Sequence, residues 1–233
     1  MHRVYAEVGR QSRTFKFKEY MEEKKHHVFV SFHHGYDQSY KDTLVTWAEE
    51  NDVFIDDSVE MGEIPDDWDA QKIRTYIRDN HLKSSKVTIL LVGIETQNRK
   101  HVDWELYSSM YDGAVNKKSG IIVIMLPSTG CTLHTLPRKS DKETILPHEK
   151  NWISINTFDK YKKRYPYMPD RIIDNLLKSG VNIAVINWSD LTDWMGLLCD
   201  EGANKLRQLI DNAFKDRASN DYDLPRPMRM RNS

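Results

Sequence analysis

Short apolar runs alternate with longer stretches of helical spacing along most of this chain. His27 to His33, Lys86 to Val92, Gly120 to Leu126 and Val181 to Ile186 are rich in Val, Ile, Leu and Phe, and Asp52 to Asp56 is a shorter segment of the same kind. Val87 to Val92 is unbroken by any charge, as expected of a strand covered on both faces of a parallel sheet. Between these runs, apolar residues recur at helical intervals. They do so from Ser39 to Glu50, at Ile73, Ile77 and Leu82, from about Arg99 to Val115, from Pro169 to Lys178, and from Glu201 to Lys215. Asn98 is placed to cap the third of these helices. Five strands alternating with helices predict an α/β fold: a flavodoxin-like, doubly wound, mainly parallel five-stranded sheet with right-handed crossovers.

Three segments break the rhythm. Residues 1–26 lack a sustained period and end in Glu22-Glu23-Lys24-Lys25, which reads as an N-terminal arm outside the core. Residues 127–167 carry Pro127, Gly130, Pro137, Pro147 and Pro166 and read as an irregular insertion within a domain spanning 27–218. Residues 219–233, with Arg226, Arg229 and Arg231 beside Pro225 and Pro227, read as a loose basic tail.

Composition narrows the class. With 34 Lys and Arg against 35 Asp and Glu, the formal charge of -1 supplies no global field for nucleic acid or an anionic membrane. No apolar run nears the ~18 residues that span a bilayer, and the N-terminus lacks a signal-peptide pattern. Cys131 and Cys199 stand far apart without zinc-type spacing, so a reducing cytoplasm is the expected location and no metal is expected. The His33-His34 pair is too short to form a metal site, since neighbours on a strand point to opposite faces. Glu60, Asp66, Asp67 and Asp69 make an acidic loop whose spacing fits no EF-hand. Neither a GxGxxG nor a GxxxxGK[ST] motif occurs, against a Rossmann dehydrogenase or a P-loop NTPase.

Glu105 lies early in the helix after the third strand, near the carboxyl edge where such sheets bind ligands. Taken alone, it reads as a solvated carboxylate suited to the helix dipole. Ser31, Phe32, His33, His34, Gly35 and Asp37 fall at the carboxyl end of the first strand at the same edge, and Asp56 and Asp57 end the second. A ligand there would meet them, although Asp37 also reads as an N-cap and Asp56 as a turn residue. Trp104 joins this substrate-binding set, with a core or rim aromatic as its more ordinary role.

Val28-Phe-Val-Ser-Phe-His33-His34 with Asp37, and Ser85-Lys-Val-Thr-Ile-Leu-Leu-Val-Gly-Ile-Glu-Thr96 with Asn98-Arg99-Lys100 and Trp104-Glu105, resemble the TIR-like domain family. Within it they are similar to the TIR-like subunits of Thoeris antiphage defence systems. The resemblance covers about residues 26 to 127, and the loop Asp57 to Asp69 departs from that of animal and plant members. It implies a catalytic glutamate at Glu105 that cleaves NAD at the nicotinamide glycosidic bond, with NAD as substrate and no separate cofactor. It also implies an ADP-ribose-derived signal that switches on a partner effector protein, a phage-derived trigger, and a homo-oligomer on activation.

A carboxylate beside the ribose could stabilise the oxocarbenium-like state, and the neutral departure of nicotinamide needs little acid help. The attacking group then decides whether the product is linear, cyclic or a conjugate. The competing reading is a non-catalytic TIR-like assembly module. A phosphoryl-acceptor receiver shares the fold class but needs an acidic cluster after the first strand and an Asp ending the third, where this chain has Phe32-His33-His34 and Gly93-Ile94.

Overall fold

A computed structural model describes residues 25–58, 68–80, 82–114 and 116–232. Five strands, β1 (His27–Ser31), β2 (Ile55–Asp56), β3 (Val87–Val92), β4 (Gly120–Met125) and β5 (Ile183–Asn187), form one sheet in the order β2-β1-β3-β4-β5. Every neighbouring pair is parallel, as the flavodoxin-like expectation requires. The order reverses between β1 and β3, so the crevice outside their carboxyl ends is the topological switch point.

Among the described residues seven helices cover the sheet: α1 (His34–Glu50), α2 (Ala70–Asn80), α3 (Lys100–Met110), α4 (Lys139–Thr144), α5 (Phe158–Arg164), α6 (Asp170–Leu177) and α7 (Asp200–Asp216). β3 and β4 are buried at all positions, in keeping with their continuous apolar runs. α1 and α7 pack on one face, where Val28, Val30 and Phe32 join Leu44, Leu206 and Ile210. On the other face Phe29 meets Ile73, Ile77 and Trp104, and Leu90 and Val92 meet Val102, Leu106 and Ile172. Gly120 lets α7 approach β4, since a Cβ there would come within 2.1 Å of the Ala213 carbonyl.

Several boundaries differ from those the sequence predicts. α1 begins at His34 rather than Ser39, because the His33 carbonyl already accepts from the Tyr36 and Asp37 amides. β2 shrinks to two residues behind a turn in which Asp52 takes a positive φ of 55°. α3 ends at Met110, and its N-cap is Arg99, because Asn98 closes a preceding 3-10 turn.

The insertion is only partly irregular. It holds α4 and α5, is tied to β5 by a Thr135–Val185 bridge, and buries Leu136, Ile145, Tyr161 and Tyr165. The basic tail is not loose. Tyr222 and Met228 are buried, Arg226 forks onto Asp174, and the Arg229 carbonyl accepts from Trp104 Nε1 at 2.7 Å. Buried Arg171 explains the docking: its guanidinium grips Asp103 at 2.8 and 3.0 Å and also donates to the carbonyls of Arg226 and Pro227. The acidic-loop residues Glu60, Asp66 and Asp67, and the arm up to Lys24, lie outside the described residues.

Candidate active site

Period-two alternation along β1 sends Phe29 and Ser31 to the face covered by α2 and α3. α3 runs back along that face from the end of β3, and its second turn turns Glu105 inward toward β1. The two meet: the Ser31 hydroxyl donates to Glu105 Oε2 at 2.5 Å. Ser31 is fully buried and Glu105 is 2% exposed, so the solvated-surface alternative for Glu105 does not hold. Burial without a cationic partner pushes its carboxyl up to about 8, with only the Ser31 bond opposing. At neutral pH the resting side chain is therefore mainly a neutral acid.

A second carboxyl lines the switch point. Asp37 is 4% exposed in the first turn of α1 and does not cap the helix; the cap position is His33, whose side chain makes no capping bond. Asp37 instead presses against Gly93 just past β3, where a Cβ would fall 2.5 Å from its Oδ1, so any larger residue there would have to push the Asp37 carboxyl aside. Thr96 Oγ1 reaches Asp37 Oδ2 at 3.4 Å and accepts from the Gly93 amide at 2.8 Å. Burial raises the Asp37 pKa, again against a single hydroxyl bond.

Phe32 is buried against the α1 side and stacks on exposed His34 with ring centres 4.3 Å apart. His33 is partly buried, its Nδ1 has no partner, and burial followed by the nearby Arg99 lowers its pKa against the pull of Glu95. Its imidazole is therefore neutral at physiological pH. Asp56 binds the Ser58 amide at 3.0 Å and Lys41 at 3.4 Å, shaping the turn after β2. Trp104 is a core residue, 1% exposed among Phe29, Ile73 and Met228, and has no open face for a base to stack on.

Thus the structure brings Ser31, Phe32, His33, His34 and Asp37 to the carboxyl edge of β1, with Glu105 hydrogen-bonded beneath. Asp56 ends β2 and holds the turn that follows it, and Trp104 lies in the core. Gly93 and Thr96 were missed by the sequence reading; the signal was a glycine directly after the buried third strand.

Residues 29–130 match the family model for Thoeris protein ThsB, TIR-like domain. Over this segment, somewhat under half of its length, the chain is similar to the TIR-like domain of ThsB. Its matched segment runs from within β1 to the turn after β4 and holds Glu105, Ser31, Asp37, Gly93 and Thr96 together. No curated protein matches the chain. Beyond the TIR-like segment lie most of the insertion, β5, α7 and the docked tail.

Proposed function

We propose that this ThsB-type chain is an enzyme that cleaves NAD at the nicotinamide glycosidic bond and makes an ADP-ribose-derived signal for a partner effector in antiphage defence. The observation that carries the reading is the buried Glu105–Ser31 pair at the switch point of the sheet. An acid this deep, with no ion-pair partner among the described residues, is the kind of perturbed group that functional sites collect.

The chemistry follows from its charge state. NAD brings a pyridinium whose positive charge would lower the Glu105 pKa, so substrate binding drives release of the proton to solvent. The ribose C1′–N bond then breaks with its electron pair passing to the ring nitrogen, and nicotinamide leaves neutral. The new carboxylate faces the positive charge that develops on the ribose carbon, in a setting from which water is largely excluded. Ser31 holds the carboxylate in one rotamer. Neutral His33 adds no charge against the cation, and Phe32 and His34 offer a wall for the ring. Water or a hydroxyl of the same molecule supplies the new bond to C1′ and loses its proton, whereas a ring nitrogen supplies it with its lone pair and the base takes up the positive charge, which it sheds as a proton from its exocyclic amine.

One observation favours a second reading. A fully buried, hydroxyl-bonded, neutral glutamic acid also suits a structural core acid in a non-catalytic assembly module. Mass spectrometry of NAD incubated with the chain and with Glu105→Gln, with and without lysate of phage-infected cells, separates the two. Nicotinamide release that Gln abolishes supports the enzyme. Intact NAD in every tube, with a lysate active on a control system, overturns it.

A further inference from the structure

Between β5 and α7 the chain presents Trp194, 90% exposed, with Met195 and Leu197 also exposed. These large apolar groups do not sit on a slack loop. Asp193 Oδ1 accepts the amides of Met195 and Leu197 at 2.9 and 3.0 Å, the Asp193 amide donates to the Leu197 carbonyl, and Gly196 takes a positive φ of 79°. Holding a tryptophan rigidly in water costs hydrophobic free energy, while the ordering that a binding partner would otherwise demand is already in place. Asp193 and Asp200 flank the finger, and no Lys or Arg occurs from Ser189 to Glu201.

The matching surface is on the same chain. A cavity of about 260 Å³ opens between the N-termini of α3 and α6, under the docked tail. Its lining includes Pro227 and Met228 of the tail, with Arg99, Arg171, Arg226 and Arg229 against Asp103 and Asp170. The volume exceeds the ~150 Å³ that accepts a benzene ring. Among the described residues the buried Arg99 Nε–H finds no acceptor, and its terminal nitrogen only grazes Glu95 at 3.5 Å. Indole on guanidinium is among the stronger cation–π pairings, and Trp and Arg dominate interface hot spots.

The geometry points to the Trp194 finger of one copy inserting into the arginine-walled cavity of a second copy. Trp194 supplies the buried ring, and the acidic flanks supply acceptors for Arg99. Within one molecule Trp194 is in solvent, so the contact joins different surfaces of two copies head to tail and leaves one finger and one cavity free. This does not depend on whether Glu105 cleaves NAD.

Sedimentation of the full chain over rising concentration tests it, using Trp194→Ser as a finger variant and Arg99→Glu as a cavity variant. Leu197→Ser and Arg99→Ala serve as milder versions, and circular dichroism checks that all fold. Wild type should rise above 27.4 kDa with concentration, and each variant should stay at that mass. An equal mixture of Trp194→Ser and Arg99→Glu should reach the dimer mass and stop, because one live finger meets one live cavity. Wild type that stays monomeric, variants that associate like wild type, a mixture that stays monomeric, or a finger that binds only lipid vesicles would each overturn the proposal.

Discussion

Two titratable clusters, one buried and one half-buried, sit at the carboxyl edge of the sheet and are pushed toward opposite charge states. At β1, Glu105 has one hydroxyl for company and is pushed up to about 8, toward the neutral acid. Beyond β5, His134 from the insertion lies 3.0 Å from Asp190 and 3.4 Å from Glu149. Burial alone would lower the His134 pKa, but the two carboxylates outweigh it and raise it, toward the imidazolium. Asp190 also accepts the Asn187 amide at 2.7 Å, so this cluster ties the insertion to the end of β5. Burial with counter-charges fixes structure. Burial without them leaves a proton that an incoming cation can displace, and that suits a site better than a scaffold.

Glu105→Gln breaks the comparison most severely. Nicotinamide release should fall at least about 100-fold, the scale on which one transition-state electrostatic group acts. Stability should move the other way. The carboxyl pKa is raised on folding from its ordinary 4.5, so its contribution is present below that value and lost as pH rises through about 8. Gln keeps the shape and removes the titration. The variant should therefore gain roughly 3–5 kcal/mol at pH 9 and almost nothing at pH 4 in urea melts. A variant no more stable than wild type at pH 9 would show that the buried acid carries no such penalty.

His134→Ala should act in the opposite sense. It leaves Asp190 and Glu149 without a cation between them and, in this partly exposed and solvent-screened setting, should cost roughly 1 kcal/mol at pH 6. A raised histidine pKa gives stability that is full below 6.5 and lost as pH rises through the folded value. The deficit of the variant should accordingly shrink toward pH 9, and equal deficits at both ends would exclude His134 as the titrating group. Activity per folded molecule should hardly change, since no contact links this cluster to Glu105.

The strands and the switch point were legible in the sequence because they rest on local periodicity, whereas Glu105, a solvated carboxylate when read alone, was singled out by the resemblance. β3 and β4 are unbroken apolar runs, and the helix after β3 places its carboxylate at a fixed distance from the edge. What crossed between elements was not. The Ser31–Glu105 bond joins residues 74 apart and depends on the face that β1 turns to α3. Asp37 looked like a cap because an acid in a first turn usually is one, and only tertiary packing against Gly93 turns it inward. The tail read as loose from its Arg and Pro content, yet its carbonyls find donors in Arg171 and Trp104, which the tail's own composition cannot reveal. Trp104 stood in the binding set beside Glu105 with a core or rim aromatic as its more ordinary role, and the core is where it lies, since successive helix positions point about 100° apart.

Ser31→Ala is the finest test, because it alters the Glu105 environment without touching the carboxyl. The serine hydroxyl is the one group that lowers the Glu105 pKa against burial, so its loss should raise that pKa further. If the carboxylate is the active form, less of it is present at pH 7, and the rate there should fall roughly threefold to tenfold for a bond worth about 1 kcal/mol. The rising limb of activity against pH should move to higher pH, and the plateau above it should stay close to that of wild type. A uniform loss at every pH would instead assign Ser31 to substrate contact. An unchanged profile would mean that the hydroxyl does not tune the acid at all, and Glu105 would then differ from His134 in burial alone.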